Sequence, residues 1–273
     1  MAALARELDV AIALAMAAGV EVARIQRGGE LGVEMKPGDE PVTVADQLAS
    51  EMIVAGITDA FPADRLISEE LVPATGALGS SRLWLIDPID GTKDFIRGED
   101  GYSVMIGLVI DARPVLGVVH MPAQDRTYWG TPDGAWVRVG DTVTSLAVSK
   151  VASAAEARLV ASKSHRGADI DRVKTALGIA EEQNVASVGV KLCMIAAGVR
   201  DLYVNPSAKT KVWDTCAPEA ILERAGGRLS DVFGTPINYT HELRHVRGLV
   251  ASNGHIHEEV VGKLGPLFQH LAR

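Results

Sequence analysis

Apolar positions set the first expectation. Residues 10–20 (VAIALAMAAGV) run on through Val22 and Ile25 at the three- and four-residue spacing of an alanine-rich amphipathic helix. Glycines and prolines from Gly28 to Pro41 mark loop, and 42–60 returns to helical spacing. Two short apolar runs, 65–67 and 82–86, each stop at acids, Glu69-Glu70 and Asp87. Strands that end this way place carboxylates at a sheet edge, where sites are commonly built. From Tyr102 to Val148, runs at 102–110, 114–120 and 135–139 alternate with turn signals, which predicts an antiparallel meander. Beyond it the pattern predicts a strand at 158–162, helices at 169–177 and 190–199, and a strand at 202–204. A helix after Asp214 stops at Gly226-Gly227, strands follow at 228–230 and 248–251, and a last helix starts near His257. The change of pattern predicts two parts: an α+β part with an antiparallel sheet, 1–150, and a smaller α/β part, 151–273.

Composition and charge narrow the classes. A hydrophobic fraction of 47% in 273 residues excludes a disordered chain. Residues 10–20 look like a signal peptide, but Glu7 and Asp9 stand where a positive region belongs, and eleven apolar residues do not span a bilayer. Two cysteines, Cys193 and Cys216, form no C-x-x-C and read as buried small hydrophobes in a reducing compartment. A cytoplasmic protein with no membrane partner is expected. The net charge of -8 argues against a nucleic-acid polymer as partner, and a phosphorylated ligand would require a bound cation to offset it.

The informative stretch is Trp84-Leu-Ile-Asp87-Pro-Ile-Asp90-Gly-Thr-Lys-Asp94. Pro88 fixes its own φ and keeps Asp87 out of helix, so the chain is expected to turn directly after the strand. Both acids then face one pocket, while Gly91 and Thr92 offer backbone N–H groups to a phosphate. Taken alone, a D-x-x-D reads as a solvated turn. Glu69-Glu70 after another apolar run, and Asp214 ahead of a helix, turn the set into a candidate oxygen-ligand cluster for Mg²⁺. Asp214 also fits a helix cap.

Asp87-Pro-Ile-Asp-Gly-Thr-Lys-Asp-Phe95 and Trp213-Asp-Thr-Cys-Ala-Pro-Glu219, followed by Ala225-Gly-Gly227, resemble the two signatures of the inositol monophosphatase superfamily. Val42-Thr-Val-Ala-Asp46 and Ile67-Ser-Glu-Glu70 match two further segments in the right order. The resemblance implies an α/β layered sandwich with alternating α-β-α-β-α layers, and a phosphomonoesterase using two or three Mg²⁺ ions. It implies one ion on Glu69, Asp87 and the Ile89 carbonyl, a second on Asp87, Asp90 and Asp214, and a third near Glu69. Asp46 and Thr92 would activate water, and the Gly91 and Thr92 N–H groups would hold the phosphate. Sensitivity to Li⁺ and a homodimer are also implied. The wording of both signatures, with Ser162-Lys-Ser-His165, is most similar to the 3'(2'),5'-bisphosphate nucleotidase branch, which removes the 3'-phosphate of 3'-phosphoadenosine 5'-phosphate (PAP) in sulfate assimilation. By that resemblance His165 stacks on adenine and Lys191 lies near the 5'-phosphate. Val188 replaces a serine found in some relatives. Ser207 stands where inositol-specific members carry a glutamate, which argues against inositol phosphate. Inositol monophosphatase or fructose-1,6-bisphosphatase activity is the alternative.

Other chemistries fare worse. His241-Glu-Leu-Arg-His245 satisfies the H-E-x-x-H zinc peptidase pattern, yet it sits between a turn and a predicted strand, with no room for the required helix. A haloacid-dehalogenase reading needs an aspartate where Pro88 stands. A binding module that had abandoned catalysis would be expected to lack one of the four acids. P-loop and G-x-S-x-G motifs are absent.

Overall fold

The computed structural model describes residues 4–38, 40–71, 81–164 and 166–272. In chain order it runs α1 (Ala5–Gly28), β1 (Glu34–Lys36), β2 (Glu40–Val42), α2 (Val44–Ala60), β3 (Arg65–Ser68), β4 (Arg82–Asp90) and α3 (Thr92–Ile96). The meander follows as β5 (Ser103–Ile110), β6 (Arg113–Met121), β7 (Arg126–Thr131), β8 (Gly134–Val139) and β9 (Thr142–Ser145). Then come β10 (Leu159–Ser162), α4 (Ala168–Leu177), β11 (Glu182–Val185), α5 (Val188–Ala196), β12 (Leu202–Asn205), α6 (Val212–Arg224), β13 (Arg228–Ser230), β14 (Leu249–Ser252) and α7 (His257–Leu264).

The expected layers are present. A seven-stranded sheet has the order β3-β4-β5-β6-β7-β8-β9, antiparallel except for β3 beside β4. A five-stranded mixed sheet has the order β11-β10-β12-β14-β13. On β5, Val104, Ile106 and Leu108 face α1 and α2, whose Ala11, Ala15, Ala18, Ala49 and Ile53 complete that core. Met105 and Val109 face the opposite way, onto Leu192 and Cys193 of α5 and Cys216, Ala217 and Ile221 of α6. The other side of those two helices meets Tyr203, Leu229 and Ala251 of the second sheet. Beyond it, α4 and α7 cover Leu202, Val204 and Val250 with Ile170, Val173, Val260 and Leu264. Both cysteines are buried and free, as expected.

Differences from the sequence reading are local. The loop expected from Gly28 to Pro41 contains the short antiparallel pair β1–β2. β7, β9 and β11 carry too little alternation to stand out, and β9 is exposed along its whole length. The turn expected at Pro88 is instead a bulge: Asp87 pairs with Met105 and Asp90 with Ser103, three steps against two, so β4 continues to Asp90. A bulge tolerates the missing proline N–H and re-aims the side chains around it.

One contact fixes α6. Gly107, Gly117 and Gly130 pair directly across β5, β6 and β7, forming a row without side chains. The helix lies in that trough. A Cβ at Gly117 would overlap the Ala217 carbonyl, and one at Gly130 would stand 2.7 Å from the Ile221 Cα. Backbone against backbone leaves nothing that can swing aside. Gly117→Ala should therefore destabilise the fold by about 2 kcal/mol or more. Gly262→Ala, in exposed space on α7, should stabilise it by about 0.5 kcal/mol. Urea unfolding of both variants checks the two signs; equal effects would show that close approach is not what the row provides.

Candidate metal centre and active site

Three separate segments converge at one end of the large sheet. Leu83, Leu85 and Asp87 share the face of β4 that looks toward α6. Glu69 leaves β3 beside it, its backbone N–H donating to the Ile86 carbonyl at 3.0 Å. Asp214 is brought in by the first turn of α6, where its Oδ2 accepts from the Lys211 N–H at 2.8 Å. Its alternative reading as a helix cap is thus also fulfilled. Carboxylate oxygens of Glu69, Asp87 and Asp214 lie within 4.8 Å of one another.

These acids are held in conflict. Burial, and then the charges of Glu69, Asp90 and Asp214, push the Asp87 carboxyl well above its usual range. Burial and the same neighbouring acids act likewise on Asp214. Asp87 Oδ1 is buried with no hydrogen-bond partner. An orphaned carboxylate oxygen inside an all-oxygen set suits a hard divalent cation, so the residues present fit the Mg²⁺ expected from the sequence. Lys36 and Lys211 supply part of the missing charge: their Nζ atoms lie 3.6 and 3.5 Å from Glu69 Oε1. Each is also paired to a second acid, Lys36 to Glu70 at 2.5 Å and Lys211 to Glu40 at 2.8 Å.

The remaining candidate residues are placed as follows. Asp90 stands beside the three acids but is not among their close oxygens. Its Oδ2 accepts from Ser187 Oγ at 2.5 Å and from the Gly189 N–H at 2.8 Å, which ties it to the start of α5. Gly91 adopts φ 99°, where a Cβ would meet the Gly101 carbonyl at 3.0 Å, and α3 starts at Thr92. Thr92 Oγ1 donates to the Ile89 carbonyl at 2.9 Å and lies 3.4 Å from Asp46 Oδ1. Asp46 closes a capping box with Thr43, whose N–H and hydroxyl donate to its Oδ2 at 2.8 and 2.6 Å. Burial raises its carboxyl to about 6 against those two hydrogen bonds.

Lys191 is not a surface residue. It is buried in α5, its Nζ donating to the carbonyls of Val185 and Ala186 at 3.1 and 2.6 Å and lying over the Tyr203 ring. Burial lowers it to about 8, against the charges of Asp90, Asp214 and Asp94. His165 lies outside the described residues. His241 and His245 share no helix, and His245 is buried with its Nε2 2.7 Å from Thr215 Oγ1. The zinc peptidase alternative therefore lacks its frame. Lys36, Lys211 and Ser187 were not singled out as site residues by the sequence reading. Lys211 stands two positions before Trp213-Asp214, and Ser187 lies next to Val188, where some relatives carry a serine.

A model of the inositol monophosphatase family matches residues 4–267. The chain belongs to the inositol monophosphatase family. Among curated members, the 3'(2'),5'-bisphosphate nucleotidase CysQ of Escherichia coli K12 is 32% identical over 240 residues, 85% of this chain and 94% of that one. The histidinol-phosphatase of Mycobacterium tuberculosis is also 32% identical, over 263 residues, 94% of this chain and 97% of that one. The solved Thermotoga maritima IMPase superposes with a TM-score of 0.82 at 28% identity, over 97% of this chain and 99% of the other. The chain is thus a phosphatase of a metal-dependent hydrolase family. Among the described residues, no helix is long and apolar enough to cross a membrane.

Repulsion among buried acids gives the site a thermal signature. With a chelator present, Asp87→Asn should melt at or above the wild-type temperature, because it removes one charge from the cluster. Added Mg²⁺ should raise the wild-type melting temperature and leave the variant nearly unmoved. Scanning calorimetry with and without the ion reads both effects, and equal Mg²⁺ stabilisation of the two proteins would remove Asp87 from the ligand set.

Proposed function

We propose that this family member is a Mg²⁺-dependent phosphomonoesterase that removes the 3'-phosphate of PAP, leaving AMP and phosphate. The observation that carries the metal chemistry is the convergence of Glu69, Asp87 and Asp214, with a buried Asp87 oxygen left unpartnered. Glu69, Asp87, Asp90, Asp214 and the Ile89 carbonyl would hold two or three ions. When bound, Mg²⁺ lowers the pKa of a coordinated water and offsets charge on the phosphate and the leaving alkoxide.

The protein's own groups do the rest. Asp46 Oδ1 faces the Thr92 hydroxyl, which can hand its proton to that carboxylate and accept one from the attacking water. After the bulge at Pro88 the chain passes through left-handed Gly91 into the helix starting at Thr92, and the Gly91 and Thr92 N–H groups would hold a phosphate oxygen. Tethering Asp90 to Ser187 and Gly189 joins the cluster to the wall supplied by α5. The sequence was read as two parts, 1–150 and 151–273; in that division the first supplies Glu69, Asp87 and Asp90 and the second supplies Asp214.

Support for the nucleotide comes from the signature wording and from Ser207, which donates to Asn205 Oδ1 at 2.8 Å where inositol-specific members carry an acid. A second reading, histidinol phosphate, is favoured by a relative of equal identity and longer coverage. A Mg²⁺-loaded assay of PAP, inositol 1-phosphate, fructose 1,6-bisphosphate and histidinol phosphate separates them. PAP should have the highest kcat/KM, and chelation should silence every activity. A clear preference for another ester overturns the nucleotidase reading and leaves the phosphatase intact.

The role of Asp46 adds a pH limb. Its carboxyl is raised to about 6, so the ionised form that accepts a proton is lost as pH falls through that value. The rate should drop about tenfold per unit below it. Asp46→Asn should be slow at every pH and lack the limb; a wild-type rate flat down to pH 5 would remove Asp46 as the base.

A further inference from the structure

A cavity of about 300 Å³ is walled by Tyr203, Asn205, Ser207 and Lys209 from β12 and the loop after it, and by Ser162 and Arg166. Its size reaches the lower end of the ~300–1,000 Å³ usual for small-molecule sites. The same chain segment leads from this wall directly into Asp214, and the charges of Asp90 and Asp214 are felt at the Tyr203 phenol. Lys163, next to Ser162 of that wall, lies 3.3 Å from Asp94 Oδ2 in the segment that also carries Asp87 and Asp90, so wall and cluster are joined on this side.

The charges lining it are unequal in availability. Arg166 is tied to Glu182 at 2.5 Å and to Asp171 at 2.6 Å. Asp169 is paired with Arg172 at 2.8 Å. Lys191, behind Tyr203, spends its protons on two backbone carbonyls and is buried. Lys209 alone among these has no ion pair or hydrogen bond among the described residues. Its loop is braced: Asn205 donates to Thr210 Oγ1 at 2.5 Å, Ser207 to Asn205, and the His245 N–H to the Thr210 carbonyl at 2.9 Å. A fixed loop thus presents one uncommitted ammonium to the cavity.

We propose that Lys209 is a specificity residue that receives a second anionic group on the substrate's alcohol part, so that the cavity selects doubly phosphorylated esters over single ones. This rests on the PAP reading above and deepens it. It also bears on the histidinol phosphate alternative, since an uncommitted cation repels an amine-bearing alcohol.

The test compares Mg²⁺-loaded wild type, Lys209→Met and Lys209→Arg on adenosine 3',5'-bisphosphate and adenosine 3'-phosphate, with calorimetry of 5'-AMP and adenosine binding. The wild type should prefer the bisphosphate. Lys209→Met should lower that preference about fivefold, chiefly through KM, and narrow the affinity gap between AMP and adenosine by a similar factor. Lys209→Arg should restore most of both. A preference unchanged by Lys209→Met, a loss that arginine does not restore, or a wild type indifferent to the second phosphate overturns the assignment. Failure of the PAP reading is recognised separately, in the wild type alone, by a higher kcat/KM for one of the other esters.

Discussion

The bed of α6 is the constraint on which the site depends. Three glycines in adjacent strands remove every side chain from one strip of the large sheet, and the helix backbone settles into the space. At Gly117 and Gly130 backbone meets backbone, and at Gly107 only the buried Cys216 side chain and the Ala217 N–H intervene, so the height of α6 over the sheet is set by close contact. Asp87 rises from this same sheet face and Asp214 comes down from the first turn of the helix. Their separation is therefore a property of packing several residues away. An acidic pair that would drift apart on flexible loops is held together by a rigid strand and a rigid helix.

Holding it costs stability. Within 4.8 Å, two carboxylates repel by roughly 3 kcal/mol at an effective dielectric of about 20. Burial adds to the cost, which is why Asp87 and Asp214 titrate upward. Lys36 and Lys211 offset part of it at Glu69. Neither reaches the orphaned oxygen of Asp87.

Much of this was legible beforehand because it rests on short-range chemistry. An acid in a recognisable phrase is visible without a fold, and of the four acids so marked the structure brings Glu69, Asp87 and Asp214 together, with Asp90 tied to α5 instead. The layers were carried by the same phrases. What escaped notice depends on long-range pairing. β1–β2 has strands of three residues around Pro37-Gly38, and it matters because it delivers Lys36 to an acid 34 positions away and Glu40 to a lysine 171 positions away. Pro88 read as a stop, since a sequence cannot show that the neighbouring strand will absorb it as a bulge. For Lys191 the clue was present. A lysine inside Val190-Lys-Leu-Cys-Met-Ile-Ala-Ala is flanked by apolar residues on every helical face, and that pattern points to the burial the structure shows.

The pairing of the lysines explains how an acidic chain handles an anion. Lys36 is matched by Glu70, Lys211 by Glu40, and Lys163 by Asp94 and Glu99. These three cations thus arrive with their own counter-charges, and their sum offers a phosphate little net attraction. A phosphate approaching the bare cluster would meet Glu69, Asp87 and Asp214 first. On the proposed reading, divalent ions would reverse that field at the reacting end, and the Lys209 ammonium on its braced loop would favour a second negative group at the far end. The metal would then decide whether an ester binds, and the cavity wall which alcohol it carries.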